Sequence, residues 1–417
     1  MNANINLESN TNKNFFIKNL FKYFNKQEKN PDIWIIVLHP VEYQIPFYKS
    51  LYQISKGNSL VLFMDNMTIK PHKCSTWGKE TTLKVRESTK PKNYKFKYFF
   101  SKNFSLNKEK TFFNRINFDI ILGVIFFKPK IALITSYTSF TSLILLLLSP
   151  CLKTKICLRA EGGLIGRPWL RNRKTTTRRL VDWLINRADY FFYSCEDNKE
   201  YFLVRGMKSD NLYPLLSSVD SDFFGTEVSN LPKKDYEYFL MASKLEKRKN
   251  IIEAIEGFKE YTKSRFNSYD NSPYLLIAGV GPEFSFLKKE AAKHNILFLD
   301  YIEDKEQIRE LIQGSIGIVI SSFYDPTPKI VNEALSCSKP VLCRETVGFA
   351  GNLIEHKKNG YIYKYKKKKD ILDGYQWLQK NSNNDSVKNF CKNKSKIWSP
   401  QQNANSVLEL YRNLKER

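Results

Sequence analysis

From residue 33 onward the sequence alternates between short, wholly apolar runs and longer stretches with helical periodicity. Ile33-Trp34-Ile35-Ile36-Val37-Leu38 has no polar position, which suits a strand covered on both faces rather than on one. Similar runs follow at 59–64, 131–135, 155–159 and 188–193, with helix-like stretches around 46–55 and 138–148. After a polar stretch at 225–235 the pattern restarts. Strands are expected at 236–242, 275–278, 296–299, 316–320 and 341–343, and helices over 251–258, 304–313 and 328–337. Alternation of this kind calls for parallel sheets with helices on both faces. The expected fold is therefore α/β: two Rossmann-like, doubly wound parallel-sheet domains facing a cleft.

The expected boundaries are a basic amphipathic leader at 1–30, a first domain at 31–228, a second at 229–398 and a returning helix at 399–417. Val407, Leu408, Leu410, Tyr411 and Leu414 supply the apolar stripe of that last helix. Leu180, Trp183 and Leu184 form a stripe on another helix, beside Arg171, Arg173, Lys174, Arg178 and Arg179. Ser194 and Asp197 have capping-box spacing. Residues 66–112 are Lys-rich and poorly periodic, so irregular structure is expected there.

Two segments raise the question of a membrane. Ile131–Leu148 carries no charge, but Thr135, Ser136, Thr138, Ser139, Thr141 and Ser142 interrupt it. A span needs about 20 mostly apolar residues. The preferred reading is a strand at 131–135, a polar turn and a buried helix at 138–148. In the leader, Phe16, Leu20 and Phe24 repeat every four residues, with Lys18, Lys22 and Lys26 on another face. Such a helix either docks on its own domain or lies on a membrane surface. Residues 1–30 show no signal-peptide pattern.

The chain carries 67 Lys+Arg against 42 Asp+Glu, a net charge of +25. Residues 1–230 hold 35 basic and 19 acidic side chains, net +16; residues 231–417 hold 32 and 23, net +9. An anionic partner is implied, with nucleic acid, anionic lipid and phosphorylated small molecules as the classes. No zinc pattern, RNP motif or helix-turn-helix supports nucleic acid. The seven cysteines are scattered and show no CxxC pair, which reads as buried thiols in a cytoplasmic protein.

The segment Ser321-Ser322-Phe323-Tyr324-Asp325-Pro326-Thr327-Pro328-Lys329-Ile330-Val331-Asn332-Glu333 follows an expected strand and runs into a helix. Ligands of open α/β sheets bind at strand carboxyl ends, and a helix start suits an anion. Asp325 and Glu333 are placed to accept hydrogen bonds from sugar or ribose hydroxyls. Three further loops lie at the same sheet edge. Ser243 to Asn250 carries Lys244, Lys247, Arg248 and Lys249; Gly279-Val280-Gly281-Pro282 permits close backbone approach; Gly348 follows strand 341–343. Together they outline an anion pocket with hydroxyl-binding carboxylates. An ordinary strand–loop–helix with a surface Asp is the competing reading of the 321–333 segment alone.

Over roughly 190–363 these motifs occur in the order found in retaining glycosyltransferases of family 4, glycosyl transferases group 1, and the sequence resembles that family. Asp325 and Glu333 stand at its two acidic positions separated by seven residues, with Ser338 at a customary Gly. Lys244, Lys249 and Asn250 stand at its Arg, Lys and Gly positions, Gly279-Val280-Gly281-Pro282 matches its G-x-G-P, and Val219-Asp220-Ser221-Asp222-Phe223-Phe224 resembles its V-D-x-x-x-F. His39-Pro40-Val41-Glu42-Tyr43-Gln44-Ile45-Pro46 looks like the H-P-x-E-Y-x-x-P of members acting on bacterial envelope, capsule or O-antigen sugars.

The resemblance implies the GT-B fold and sugar transfer, with retention, from a nucleoside-diphosphate sugar to a glycan or lipid-linked acceptor. Asp325, Glu333, Lys244 and Lys249 would carry catalysis, the lysines holding the pyrophosphate. Gly279, Gly281, Tyr301, Pro328, Lys329, Ile330 and Gly348 would bind the donor. His39, Glu42, Tyr43 and Glu161 would bind the acceptor, with Glu161 alternatively a structural partner of Arg159 or Arg167. Asp220-Ser221-Asp222 is literally D-x-D, but the GT-B fold needs no bound metal, so no metal or other cofactor is expected. The implied setting is the cytoplasm, peripheral at an anionic membrane and without nucleic acid. A sugar-nucleotide-binding protein without turnover is the alternative that the substituted motif positions keep open.

Overall fold

A computed structural model describes residues 30–416 apart from 66–71, 75–80, 84–89, 105–114, 165–175, 230, 232–233, 267–270 and 366–367. The leader stripe, Arg167, Arg171, Arg173 and Lys174 lie outside the described residues.

The first sheet takes β1 (Ile33–Val37), β2 (Ser59–Phe63), β5 (Tyr98–Phe100), β6 (Ile131–Ile134), β7 (Lys155–Arg159), β8 (Tyr190–Tyr193) and β9 (Leu212–Pro214) in the order β5-β2-β1-β6-β7-β8-β9, all parallel. A small antiparallel pair, β3 (His72–Cys74) and β4 (Thr81–Leu83), stands apart. The second sheet takes β10 (Tyr238–Ala242), β11 (Tyr274–Ala278), β12 (Ile296–Leu299), β13 (Gly317–Ile320), β14 (Val341–Arg344) and β15 (Gly360–Tyr363) in the order β12-β11-β10-β13-β14-β15, again parallel. The two doubly wound sheets expected from the alternation are both present.

The helices are α1 (Ile45–Ile54), α2 (Phe118–Phe127), α3 (Phe140–Leu148), α4 (Thr176–Ile185), α5 (Glu196–Val204), α6 (Ser221–Gly225), α7 (Ile251–Arg265), α8 (Phe284–Glu290), α9 (Lys305–Gly314), α10 (Lys329–Ser336), α11 (Lys368–Asn381), α12 (Asp385–Ile397) and α13 (Pro400–Lys415). Every residue of β1 is buried because both faces of the first sheet are covered. Trp34 and Ile36 join the core under α2, α3, α4 and α5. Ile33, Ile35 and Val37 join the opposite core under α1 and α13. The final helix thus crosses back to the first sheet, where the Tyr411 hydroxyl receives a hydrogen bond from Asn58 at 2.9 Å and donates to Asp32. Val219 and Phe224 instead pack in a core of the second domain.

Several expectations change. Tyr98–Phe100, inside the stretch expected to be irregular, is an edge strand held by Phe100 stacked 5.0 Å from Phe63. The helix Phe118–Phe127 was not foreseen, because its FDIILGVIFF sequence is apolar on nearly every side and shows no stripe. Of the stripe on α4 only Leu184 is buried; Leu180 is 63% and Trp183 is 52% exposed. The capping box at α5 does not form. Asp197 accepts from the Leu164 amide at 2.8 Å, and Asn198 accepts from the Ser194 amide at 2.9 Å. Ile131–Leu148 is strand, turn and helix, with Ser139 capping α3. Among the described residues no helix is long and apolar enough to cross a membrane. Of the six cysteines with described side chains all are free, and all but Cys151 are buried.

Candidate functional site

Each sheet has one place where the chain reverses its direction of winding: between β1 and β6, and between β10 and β13. Ligands of doubly wound sheets sit outside the strand ends at this switch point, where two loops part. The loops after β1, β10 and β13 meet there across a cavity of about 710 Å3.

The loop after β10 is anchored by backbone. The Ser243 amide donates to Ala278 and the Leu245 amide to Val280, each at 3.0 Å. These bonds press residues 243–245 against 279–281 so closely that a Cβ on Gly279 would collide with the Ser243 carbonyl. One on Gly281 would meet the Leu245 carbonyl. Gly279 also has φ +136°. Leu245 is fully buried and pins the loop, leaving Lys244 and Lys249 in the cavity wall. Asn250, at the family's Gly position, has φ +49°, and Ser338 at the other has φ +59°. Both replacements therefore preserve the left-handed backbone that favours glycine.

The loop after β13 is tied to its neighbours. The Phe323 amide donates to Arg248 at 2.9 Å, the Ser321 hydroxyl to the Lys249 carbonyl at 3.1 Å, and the Gly348 amide to the Asp325 carbonyl at 2.9 Å. Asp325 is 8% exposed and forms an ion pair with Lys249. Pro328 caps α10. Lys329 and Glu333, one turn apart on that helix, line the cavity, while Val331, Ala334 and Leu335 bury the other side.

The first domain supplies His39, Glu42 and Tyr43. Glu42 reaches across the cleft to Lys305 at 3.4 Å. Tyr43 lies under the Lys329 ammonium, 4.3 Å from its ring centroid. Burial and the nearby Glu161 carboxylate push the Tyr43 phenol up to about 12. Glu161 pairs with Arg159 at 3.1 Å. Desolvation works against its charge, but Arg159 and Lys329 outweigh it and hold the carboxyl below its usual range.

Of the residues singled out from sequence, His39, Glu42, Tyr43, Lys244, Lys249 and Gly279 come together in this cavity wall, as do Tyr301, Asp325, Pro328, Lys329, Ile330 and Glu333. Gly281, Gly348 and Glu161 are not part of it. Gly281 serves loop packing, Gly348 braces the Pro326 carbonyl, where a Cβ would not fit, and the exposed Glu161 pairs with Arg159. Asp220 caps α6 by accepting from the Phe223 amide at 3.2 Å, which gives the D-x-D aspartate a structural task. Among the described residues no group of three His, Cys, Asp or Glu is placed to hold a metal ion. The sequence reading missed Ile302, Glu303, Asp304 and Lys305. Their signal was their place after β12, at the same sheet edge as the other loops.

No curated protein sequence matches this chain. Residues 226–397 match the family described as Glycosyl transferases group 1. Among solved structures, a glycosyltransferase from Rickettsia africae ESF-5 is similar with a TM-score of 0.67 at 12% identity, over 93% of this chain and all of that one. HepE from Anabaena in complex with UDP gives 0.66 at 12%, over 91% of this chain and all of that one. The apo lipopolysaccharide outer core galactosyltransferase WaaB gives 0.60 at 14%, over 91% and 100%. At these identities the likeness speaks for the fold. The chain thus has the GT-B fold, and its second domain matches the glycosyl transferases group 1.

Proposed function

We propose that the protein transfers a sugar from a nucleoside-diphosphate sugar to a glycan or lipid-linked acceptor. The observation that carries this reading is the convergence of Asp325, Glu333, Lys244 and Lys249 on one cavity at the switch point of the second sheet. As the sugar–phosphate bond breaks, negative charge develops on the leaving diphosphate. Two ammonium groups fixed beside it stabilise that charge in the transition state more than in the ground state. Lys244 lacks the bidentate fork of an arginine but supplies the charge. Asp325 accepts from donor-sugar hydroxyls, and Glu333 from ribose hydroxyls. Donor binding brings the pyrophosphate to Lys249, which then shares its charge between Asp325 and phosphate. We read the transfer as retaining and without a metal, the lysines doing the work of charge neutralisation. HepE, similar in fold, has been solved with UDP-glucose, which supports a nucleotide-sugar donor here.

The acceptor domain is read as facing an anionic membrane from the cytoplasm, in envelope glycan synthesis. Its exposed large apolar side chains support this. Phe118, Phe126, Leu180, Trp183, Leu203 and Val204 all lie on α2, α4 and α5, the helices over one face of the sheet, whereas α1 and α13 on the other expose none. Apolar groups beside Arg and Lys suit the headgroup region, where each cation adds about 1 kcal/mol.

The test is a thermal-shift and turnover screen against UDP, GDP and their sugars, repeated on Asp325→Ala and Glu333→Ala. Specific binding raises the melting temperature by mass action. Donor turnover unaffected by either substitution would defeat the site assignment. Stabilisation without turnover would identify a binding protein. Absence of sedimentation with phosphatidylglycerol vesicles at low salt would remove the membrane part.

A further inference from the structure

One cation is rooted in the donor domain and held by the acceptor domain. Lys329 opens α10, one turn before Glu333 and four residues after Asp325. Its ammonium leaves that side of the cleft. It donates to the Ser217 hydroxyl and stands 4.3 Å over the Tyr43 ring. Its strongest carboxylate neighbour is Glu161, ahead of Asp325 and Glu333. Ser217 is held to the first sheet, its amide donating to Ser194 at 2.9 Å. Asn332 on the same helix makes a second crossing, donating to the Ser217 carbonyl at 3.0 Å.

We propose that Lys329 is a positioning residue that holds the acceptor-side groups Tyr43 and Glu161 against the donor domain, so that domain apposition depends on its charge. The inference rests on the transferase reading of the cavity. An ammonium beside an aromatic face and a carboxylate attracts both, and the attraction strengthens where water is excluded. The same exclusion, reinforced by Arg159 and opposed by Glu161, Asp325 and Glu333, lowers the Lys329 ammonium to about 8. Below that pH it is charged and the contacts hold; above it the charge is lost and, among the described residues, Glu161 keeps its pair with Arg159. Tyr43, pushed up to about 12, stays neutral throughout this range. Among the described residues Lys339 is the other ammonium lowered to about 8, but it donates to the Ser315 carbonyl at 2.8 Å, away from the cavity wall.

The experiment combines amide hydrogen exchange, corrected for intrinsic pH dependence, with UDP and GDP affinity. It compares wild type, Lys329→Met, Lys329→Arg and, as a variant on the other domain, Tyr43→Leu. At pH 7, Lys329→Met should speed exchange over 39–45 about tenfold. Tyr43→Leu should do the same over 160–164. Wild type should lose this protection as pH rises past 8, and Lys329→Arg should keep it to pH 9.5. A matching break in Lys329→Arg, or unchanged exchange over 39–45 in Lys329→Met, overturns the inference and leaves the transferase reading standing. Failure of the wild type to bind either nucleotide overturns both.

Discussion

The two domains share one topology and use it differently. In the second, the loops at the strand ends are joined to one another: 243–245 to 278–280, 323 to 248, and 348 to 325, each through backbone hydrogen bonds near 3 Å. In the first, the loop that reaches the cavity turns through Glu42–Gln44, a short 3-10 helix, into α1. Both domains expose large apolar side chains, Leu180 at 63% and Phe126 at 59% in the first and Ile397 at 57% and Phe286 at 50% in the second, and those of the first lie on helices over one face of its sheet. Fixed loops suit a charged donor, whose leaving group must be met by preorganised charge. An apolar, basic outer face suits an acceptor held at a surface. Under the proposed function, the same sheet order would carry chemistry in one half and placement in the other.

The sharpest way to break this comparison is at the carboxylates. Asp325→Asn or Glu333→Gln should lower donor turnover by about 100-fold or more, the scale of losing one preorganised transition-state contact. A fall no larger than that caused by His39→Ala would erase the distinction between the halves. Glycine offers the next largest contrast. Gly279→Ala meets the Ser243 carbonyl at φ +136° and should cost about 3 kcal/mol in urea unfolding. Gly206→Ala in the first domain, at φ +88° with open space around its Cβ position, should cost about 1 kcal/mol. On the outer face, Leu180→Ala with Trp183→Ala should leave unfolding within about 0.5 kcal/mol. The same pair should weaken phosphatidylglycerol-vesicle binding about tenfold. Unchanged vesicle binding would return those side chains to ordinary surface. The smallest expected effect is a gain: Ser338→Gly relieves a left-handed backbone and should stabilise by about 1 kcal/mol.

Much of the second domain was legible because its signals are local. The strand runs, Gly279, the Asp325–Glu333 spacing and the basic loop at 244–249 are all read from neighbouring residues. Even the departures were readable in principle: Asn250 at a Gly position is the residue that best tolerates positive φ after glycine. The helix Phe118–Phe127 was missed for the opposite reason, since a segment apolar on all sides has no period to detect. Leu180 and Trp183 misled, because a stripe shows which residues share a helix face but not whether that face meets protein or solvent.

The sequence by itself determined the alternation, the two sheets and the loops that bear charge, because period, turn chemistry and apolar content act within a few residues. Only the tertiary structure decided the partners of those charges. It joined Lys249 to Asp325, Glu42 to Lys305 and Lys329 to Tyr43 and Ser217, and it put Gly281, Gly348 and Glu161 outside the cavity wall. These contacts link residues 76 to 286 positions apart, since 325 − 249 is 76 and 329 − 43 is 286. Which of many cations meets which carboxylate or ring over such separations depends on how the domains pack, and no local pattern in the chain carries that information.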